Sequence, residues 1–544
     1  MLFPIMANGG ASHDDLLFVR QAAEIGMGNW LGGYSNLTHA KGMIYSLFLL
    51  VNHATGIPLK FSEQLIYLLA AAFFSVTIGR LYRSSGAALF TFVLLAFVPT
   101  AWIDGAGGRV VREGLYVSLS LLLLTLGIRS WVLPCSGGGT GMVWQENWRP
   151  VVLLGVVAAL FWLTREEGVW LLPAMAVLAT YWVVRQFIAK RPWKAILSFI
   201  AVPLVVATLL VGVVNSINYA VYGVFRNNDF RSSDFQSGYG ALTRIRQDEW
   251  RRYVPFPADA RHRAYEMSAA ARELKPFFEG EGGETWRRIG CDQTDTSPCP
   301  EILSGWFMWA LRDAVAQAGY YKDARSAQAF YRRLAAEIDE GCRQRPRDCL
   351  SRRDTLVPPW HPSYARDTAF ATVRVFQTLA TLGNLQPSLG HSSGTANQLA
   401  LFRLVTNGPL APVAGFNAEG PDLVSPRDVT RYSLAIWLSN WESRISTVGL
   451  PLAFFVWSLW LVVALFVRRN IDTALVVTTA LAAAVVTRVV LLAFLEATSI
   501  PSNNMLYLFP LAPISLAMIP VALWGCLRFF LPKVPLRGSV SNLN

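Results

Sequence analysis

Apolar runs about as long as a bilayer is thick dominate this chain. Nine can be read, near residues 61–80, 85–103, 114–132, 150–164, 168–185, 195–223, 446–467, 471–490 and 505–527. About 20 apolar residues in a helix cross the hydrocarbon core. Inside it, every backbone N–H and C=O must find an internal partner, which a helix supplies residue by residue. The expected fold class is therefore all-α, a polytopic membrane protein with about nine spans and a mainly helical extramembrane domain. Composition agrees, since 53% of the 544 residues are hydrophobic and 15% charged, against about 25% charged in soluble chains. "TREEG" keeps the fourth and fifth runs apart, because three adjacent charges at mid-membrane are strongly unfavourable.

The net charge of +12 would suit a nucleic-acid partner, but the basic residues sit mostly at the ends of apolar runs, so none is required. Counting Lys and Arg in alternate short loops gives an orientation. One set holds thirteen: Arg80, Arg83, Arg129, Arg149, Arg185, Lys190, Arg191, Lys194, Arg468, Arg469, Arg528, Lys533 and Arg537. The other holds seven: Arg20, Lys41, Lys60, Arg109, Arg112, Arg165 and Arg488. The richer set is expected in the cytoplasm, which puts residues 1–60 and 225–445 outside.

The organisation expected is a first outer loop with interfacial helices (1–60), an N-terminal transmembrane bundle (61–224), an outer domain (225–445), and C-terminal membrane helices with a cytoplasmic tail (446–544). The outer segment is too long and too polar for a loop. In "RSAQAFYRRLAAEIDEG", Phe330, Leu334 and Ile338 recur every four residues, marking an amphipathic helix. Residues 350–430 are rich in Pro, Gly and Ser and show no readable periodicity. Four of the six cysteines lie in this domain. That distribution suits an oxidising compartment such as a periplasm, with Cys291–Cys299 and Cys342–Cys349 as the simplest of three pairings. Cys135 and Cys526 fall at expected inner ends.

Residues 1–12 cannot span a membrane and lack a signal peptide's basic region and cleavage site. Asp14 nevertheless belongs outside, so a preceding span lost from this chain, or an earlier translation start, is expected. Asp14 and Asp15 stand at the head of an amphipathic stretch. Leu16, Val19, Ala23 and Trp30 share one face, with Arg20, Gln21 and Glu24 opposite. Such a helix would lie flat at the interface. One aspartate could cap it; two adjacent ones exceed that need. Each outer turn also carries arginine: Arg109 and Arg112 in "GRVVREG", Arg165 in "TREEG", and Arg488 isolated in "LAAAVVTRVVLLAFL". An arginine at a helix end often only snorkels to the interface, but a charge within an apolar run points to function. Guanidinium forks suit phosphate.

An acidic pair in a first outer loop, an interfacial helix, Lys41 in "THAKGMIYSLFLL", the "RE" of "GRVVREG" and a later outer domain together resemble the GT-C superfamily of integral-membrane glycosyltransferases. The resemblance is to the family-39-like branch, which includes protein O-mannosyltransferases and lipid A aminoarabinose transferases. Gly42 and Met43 stand where that branch usually has prolines. The resemblance implies transfer of a sugar from a polyprenyl-phosphate carrier to a lipid, glycan or protein acceptor at the outer face of a bacterial inner membrane, with inversion at the anomeric carbon. It makes Asp14 or Asp15 the general base, and Lys41, Arg112, Arg165 and Arg488 the binders of the carrier phosphate. Glu113 and Glu166 would orient those arginines. Some members bind a divalent cation at the acidic motif, and Asp14, Asp15 and His13 could supply ligands; no other cofactor is expected.

Three rival readings exist, one of them a non-catalytic scaffold for a cell-envelope complex, which would need neither Asp14 nor the arginines; the other two are enzymatic or transport readings. An O-antigen polymerase or ligase would keep its key residues in the large late loop. A lipid-linked glycan transporter or flippase would place ionisable groups at mid-membrane. The early "HDD" and the charges at span ends speak against both.

Overall fold

The structure, a computed structural model, describes residues 4–102, 108–133, 144–165, 167–294, 301–387, 390–413 and 426–530. Among these residues, helices carry the fold, and extended pairing is confined to isolated bridges. Seven helices are long and apolar enough to cross a membrane: Leu59–Tyr82, Glu113–Val132, Gly168–Ile188, Trp193–Tyr222, Val429–Val467, Thr473–Thr498 and Met505–Phe530. They coincide with seven of the nine runs read from the sequence. The runs at 85–103 and 150–164 instead form the shorter apolar helices Ser85–Ala96 and Trp148–Thr164. Pro99 opens a separate turn at Pro99–Ala101, and the residue before a proline is driven out of helical backbone.

Local chemistry sets several boundaries. The Ser84 hydroxyl accepts from the Ala87 N–H to start Ser85–Ala96. Asp472 accepts from the Leu475 N–H at 2.7 Å to start Thr473–Thr498. The 30-residue helix Trp193–Tyr222 stops at Gly223, whose φ of 75° suits a residue without a Cβ.

Packing divides into two main apolar bodies. The bundle is built on residues such as Phe74, Tyr116, Leu121, Trp182, Val485 and Leu516. A second body, the inserted domain, runs from Phe230 to Cys349 and is built on Phe235, Phe256, Phe307, Leu311, Phe330, Leu334 and Ile338. The expected four-residue stripe is thus the buried face of helix Ala324–Gln344. Within the segment expected to form one outer domain (225–445), packing changes partner after Cys349. Helices Ala365–Ala380 and Ala396–Thr406 add Ala371, Val375, Leu379, Phe402 and Val405 to the bundle's core. The buried positions 368, 371, 375 and 379 carry a helical period that the surrounding Pro, Gly and Ser obscure.

The first helix is Asp15–Gly26, and its polar face differs from expectation. Gln21 is buried: its amide donates to Thr38 O at 3.3 Å and accepts from the Ser46 hydroxyl at 3.0 Å. A helix covered on both sides, here by Ile44–Thr55 and Ala396–Thr406, no longer has a solvated stripe to offer Gln21. The preceding segment is stitched by backbone bonds, Met6 N–H to Gly108 O at 2.9 Å and Ala411 N–H to Ile5 O at 2.8 Å. Residues 5–9 therefore tie the head of this helix to two distant stretches of chain.

Candidate active site

Asp14 and Asp15 point to different partners. Asp14 occupies the N-cap position of Asp15–Gly26 but makes no side-chain capping bond. Its carboxylate instead pairs with Lys41. The Asp14 side chain is 47% exposed, while that of Lys41 is 8% exposed. The ammonium also sits 5.6 Å from the Phe18 ring centre and 5.5 Å from that of Trp309, an aromatic setting that favours the cation. Asp15 is fully buried. Arg109 grips it through Nη2–Oδ2 at 2.5 Å and Nε–Oδ1 at 3.2 Å, and the Val110 N–H donates to Oδ1 at 3.2 Å. Burial pushes the Asp15 carboxyl above its usual range, with Arg109 pulling the other way by charge and hydrogen bond.

His13 turns away from both. Its Nε2 stands 3.5 Å from Asp313 Oδ1, and its ring packs edge-on against Trp286 and Trp309 at 5.1 and 4.9 Å. The three adjacent side chains named as metal ligands thus diverge to Asp313, Lys41 and Arg109. Among the described residues, no group of three or more His, Cys, Asp or Glu could hold a metal ion. The cation expected from the acidic motif has no converging donor set there, because each acid is already matched by a cation of the chain.

Arg112 and Arg165 gather at the carbonyl end of helix Trp144–Thr164, the loop that carries Lys41 runs against it, and Arg488 joins through Glu167. A Cβ on Gly42 would collide with Leu163 O and lie 2.8 Å from Thr164 O. Glycine there lets the Lys41 loop run against this helix end. Arg112 donates to Thr164 O at 3.5 Å. The next residue, Arg165, pairs with Glu113 and reaches Glu167 at 3.4 Å. Arg488 closes the group. Its Nη2 lies 3.0 Å from Glu167 Oε2 and 2.8 Å from Tyr507 O, and its guanidinium faces the Trp170 ring at 5.7 Å. Arg488 is fully buried, and its Nη1 has no hydrogen-bond partner among the described residues. Such an orphaned buried donor is unfavourable and suits an incoming anion.

Glu167 is the carboxylate on which these cations converge, and sequence reasoning passed over it for its neighbour. Glu166 lies outside the described residues. Burial pushes the Glu167 carboxyl up, but Arg165, Arg488 and Arg112 together outweigh that and hold it at about 2. Glu113 forms an ion pair with Arg165. Two further residues were not singled out. Lys60 donates to Arg109 O at 2.5 Å and pairs with Glu63 at 2.7 Å, and Glu63 accepts from the Tyr45 hydroxyl at 2.7 Å. A cavity of about 20 Å³ lies between them, lined by Lys60, Glu63, Glu113 and Gly114. This buried pair links the Arg109 turn to the Glu113 helix start; Lys60, two residues after Pro58, had looked like a simple span-end cation.

Of the expected disulfides, Cys342–Cys349 is present with a Cα–Cα distance of 5.7 Å. Cys291 is disulfide-bonded, while Cys299 and Cys135 lie outside the described residues.

No protein-family model and no curated protein matches the sequence. Among solved structures, the chain is similar to ArnT from Cupriavidus metallidurans in the apo state, with 13% identity, 95% of this chain and 74% of that chain covered, and a TM-score of 0.30. It is also similar to ArnT from the same organism bound to undecaprenyl phosphate, with 14% identity, 95% and 75% covered, and a TM-score of 0.30. A likeness this distant establishes neither a shared fold nor a shared function.

Proposed function

We propose that this protein is a membrane glycosyltransferase that takes a sugar from a polyprenyl-phosphate carrier. One observation supports the reading above the others. A half-exposed carboxylate, Asp14, stands on a buried ammonium, Lys41, whose loop runs over the same helix end that gathers Arg112 and Arg165. Glu167 joins Arg488 to that group. The arrangement supplies what sugar transfer from a lipid phosphate requires: an acceptor-side base and a cluster of permanent cations for the departing phosphate.

In this mechanism Asp14 takes the proton of the acceptor hydroxyl as its oxygen attacks the anomeric carbon. The bond from that carbon to the phosphate oxygen breaks, and the electron pair leaves with the polyprenyl phosphate. Arg488, whose Nη1 awaits an acceptor, and Lys41, Arg112 and Arg165 oppose the charge that develops on the leaving group. Attack from the face opposite the phosphate inverts the anomeric configuration. Asp15, sealed beneath Arg109, positions the turn and takes no proton from substrate. The acceptor is an envelope lipid, glycan or protein, and the setting is a bacterial inner membrane with the inserted domain on the periplasmic side.

The test is transfer of radiolabelled sugar from polyprenyl-phosphate carriers in membranes that contain the full chain. Asp14→Asn should lose activity by about 10²–10⁴-fold, the usual contribution of a general base. Equal transfer by wild type and Asp14→Asn would refute the assignment.

A further inference from the structure

A second cavity lies away from the Asp14 cluster, on the inserted domain. It measures about 670 Å³ and is walled by two loops, residues 243–255 and 350–364, with Thr498 and Ser499 at the end of a membrane helix as its edge. The walls are fixed. Ile245 bridges Cys349, Leu350 N–H donates to Arg244 O at 2.7 Å, and Arg246 N–H donates to Asp348 O at 2.8 Å. The Cys342–Cys349 disulfide pins this pairing to helix Ala324–Gln344. Tyr253 anchors the first loop through its hydroxyl, 2.8 Å from Glu496 O. A Cβ on Gly240 would strike Arg353 O, so glycine at 240 lets the second loop lie against helix Ser233–Thr243.

The lining has one sign of charge. Five arginines face the cavity against a single carboxylate, Asp248, and Asp248 is already paired with Arg263. Arg244 and Arg352 share Asp339 at 2.6 and 3.6 Å. Arg246, Arg251 and Arg353 have no carboxylate within ion-pair distance among the described residues. Arg353 is half-buried, and its guanidinium meets only carbonyls, Thr355 O at 3.4 Å and Leu356 O at 3.2 Å. Burial lowers its pKa. Between the arginines lie flat apolar faces. Trp250 and Trp360 are 65% and 58% exposed, and Trp360 is held 5.7 Å from the Phe494 ring. Guanidinium forks recognise carboxylate, sulfate or phosphate oxygens, and exposed aromatic rings stack on the C–H faces of sugar rings. A cleft of this size takes a ligand of several rings.

We propose that this cavity is a binding site for an anionic oligosaccharide, with acid groups on Arg246, Arg251 and Arg353 and sugar rings on Trp250 and Trp360. All but two lining residues belong to the inserted domain or the stretch just beyond it, and the two exceptions, Thr498 and Ser499, stand at the end of a membrane helix, so an anionic lipid headgroup is the rival occupant that the test separates. The site does not depend on sugar transfer at Asp14.

The test measures binding of a heparin-derived hexasaccharide to the purified full chain, with neutral maltohexaose as the comparison. The sulfated probe should bind saturably and maltohexaose about tenfold or more weakly, as expected when charge-assisted contacts are missing. Arg353→Gln and Trp360→Ala should each weaken the probe about tenfold on the same grounds. Arg251→Gln, at an exposed side chain with no ion pair or hydrogen bond among the described residues, gives the same readout should Arg353→Gln fail to fold. Asp14→Asn should bind like wild type. Absence of saturable binding, equal affinity for maltohexaose, or wild-type affinity in the arginine variants would overturn the proposal. So would loss of binding in nanodiscs of phosphatidylglycerol with retention in phosphatidylcholine, since anionic lipid would then be the occupant.

Discussion

Arg109 closes over Asp15 with two donors, Nη2 at 2.5 Å from Oδ2 and Nε at 3.2 Å from Oδ1, and leaves that carboxylate no exposed surface. One residue earlier, Asp14 is 47% exposed. Two adjacent acids are thus divided between holding the turn and facing the site. Asp15→Asn should lower stability by roughly 2–4 kcal/mol, because a fully buried carboxylate held by two Arg109 donors and the Val110 N–H loses its charge. Asp14→Asn keeps an acceptor for Lys41 on a half-exposed side chain, and Lys41 keeps its aromatic neighbours, so the loss should be smaller. Melting curves of the two variants in detergent check the order, and transfer assays below the melting temperature should show the reverse, with Asp14→Asn the inactive one.

Gly42 touches the carbonyl end of helix Trp144–Thr164 so closely that no side chain fits. Gly42→Ala should force the Lys41 loop outward. A loss of about 1–3 kcal/mol is expected from such overpacking, together with weaker carrier binding. Thermal unfolding and a lipid-binding isotherm measure the two effects separately.

The low pKa of Glu167 has a pH signature. Its carboxyl stands near 2 against an ordinary 4.5. A group depressed in the folded state adds stability that is complete above its unfolded value and vanishes as pH falls through its folded one. The melting-temperature difference between wild type and Glu167→Gln should therefore be full at pH 7 and shrink from about pH 4.5 towards 2. A difference that stays constant or grows on acidification would show that Arg165 and Arg488 do not hold this charge.

The inserted domain is fastened to the first loop by buried charge. Arg312 is fully buried, 3.1 Å from Asp229 through two nitrogens, and its Nε donates to Asn36 O at 2.6 Å. His39 lies 3.9 Å from the same carboxylate; burial lowers its pKa, with Asp229 pulling it up. Asp229→Asn should destabilise by about 3–5 kcal/mol, since it strands the Arg312 charge. Limited proteolysis of residues 230–349 reads the loosening directly.

The membrane helices were legible because their signal is local: twenty apolar residues need no knowledge of their neighbours. The stripe of Phe330, Leu334 and Ile338 was legible for the same reason. Partner choice was not. Nothing beside Arg488 in "VVTRVVLL" indicates that it meets Glu167, and no spacing tells Glu167 from Glu166. Gln21 read as solvent-facing because its burial comes from residues near 40 and 400. The role of Gly42 was hidden too, since its requirement comes from carbonyls more than a hundred residues away. Asp15 and Arg109 were both visible as charges, but their separation from Asp14 and Lys41 is a property of the folded turn.

The most direct measurement is saturable binding of undecaprenyl phosphate to the purified full chain. Wild type should bind it, Arg488→Gln should bind about tenfold more weakly, as befits one lost charge-assisted contact, and Asp14→Asn should retain wild-type affinity while failing to transfer sugar. No saturable binding, or an affinity indifferent to Arg488, would contradict a phosphate seat at this cluster.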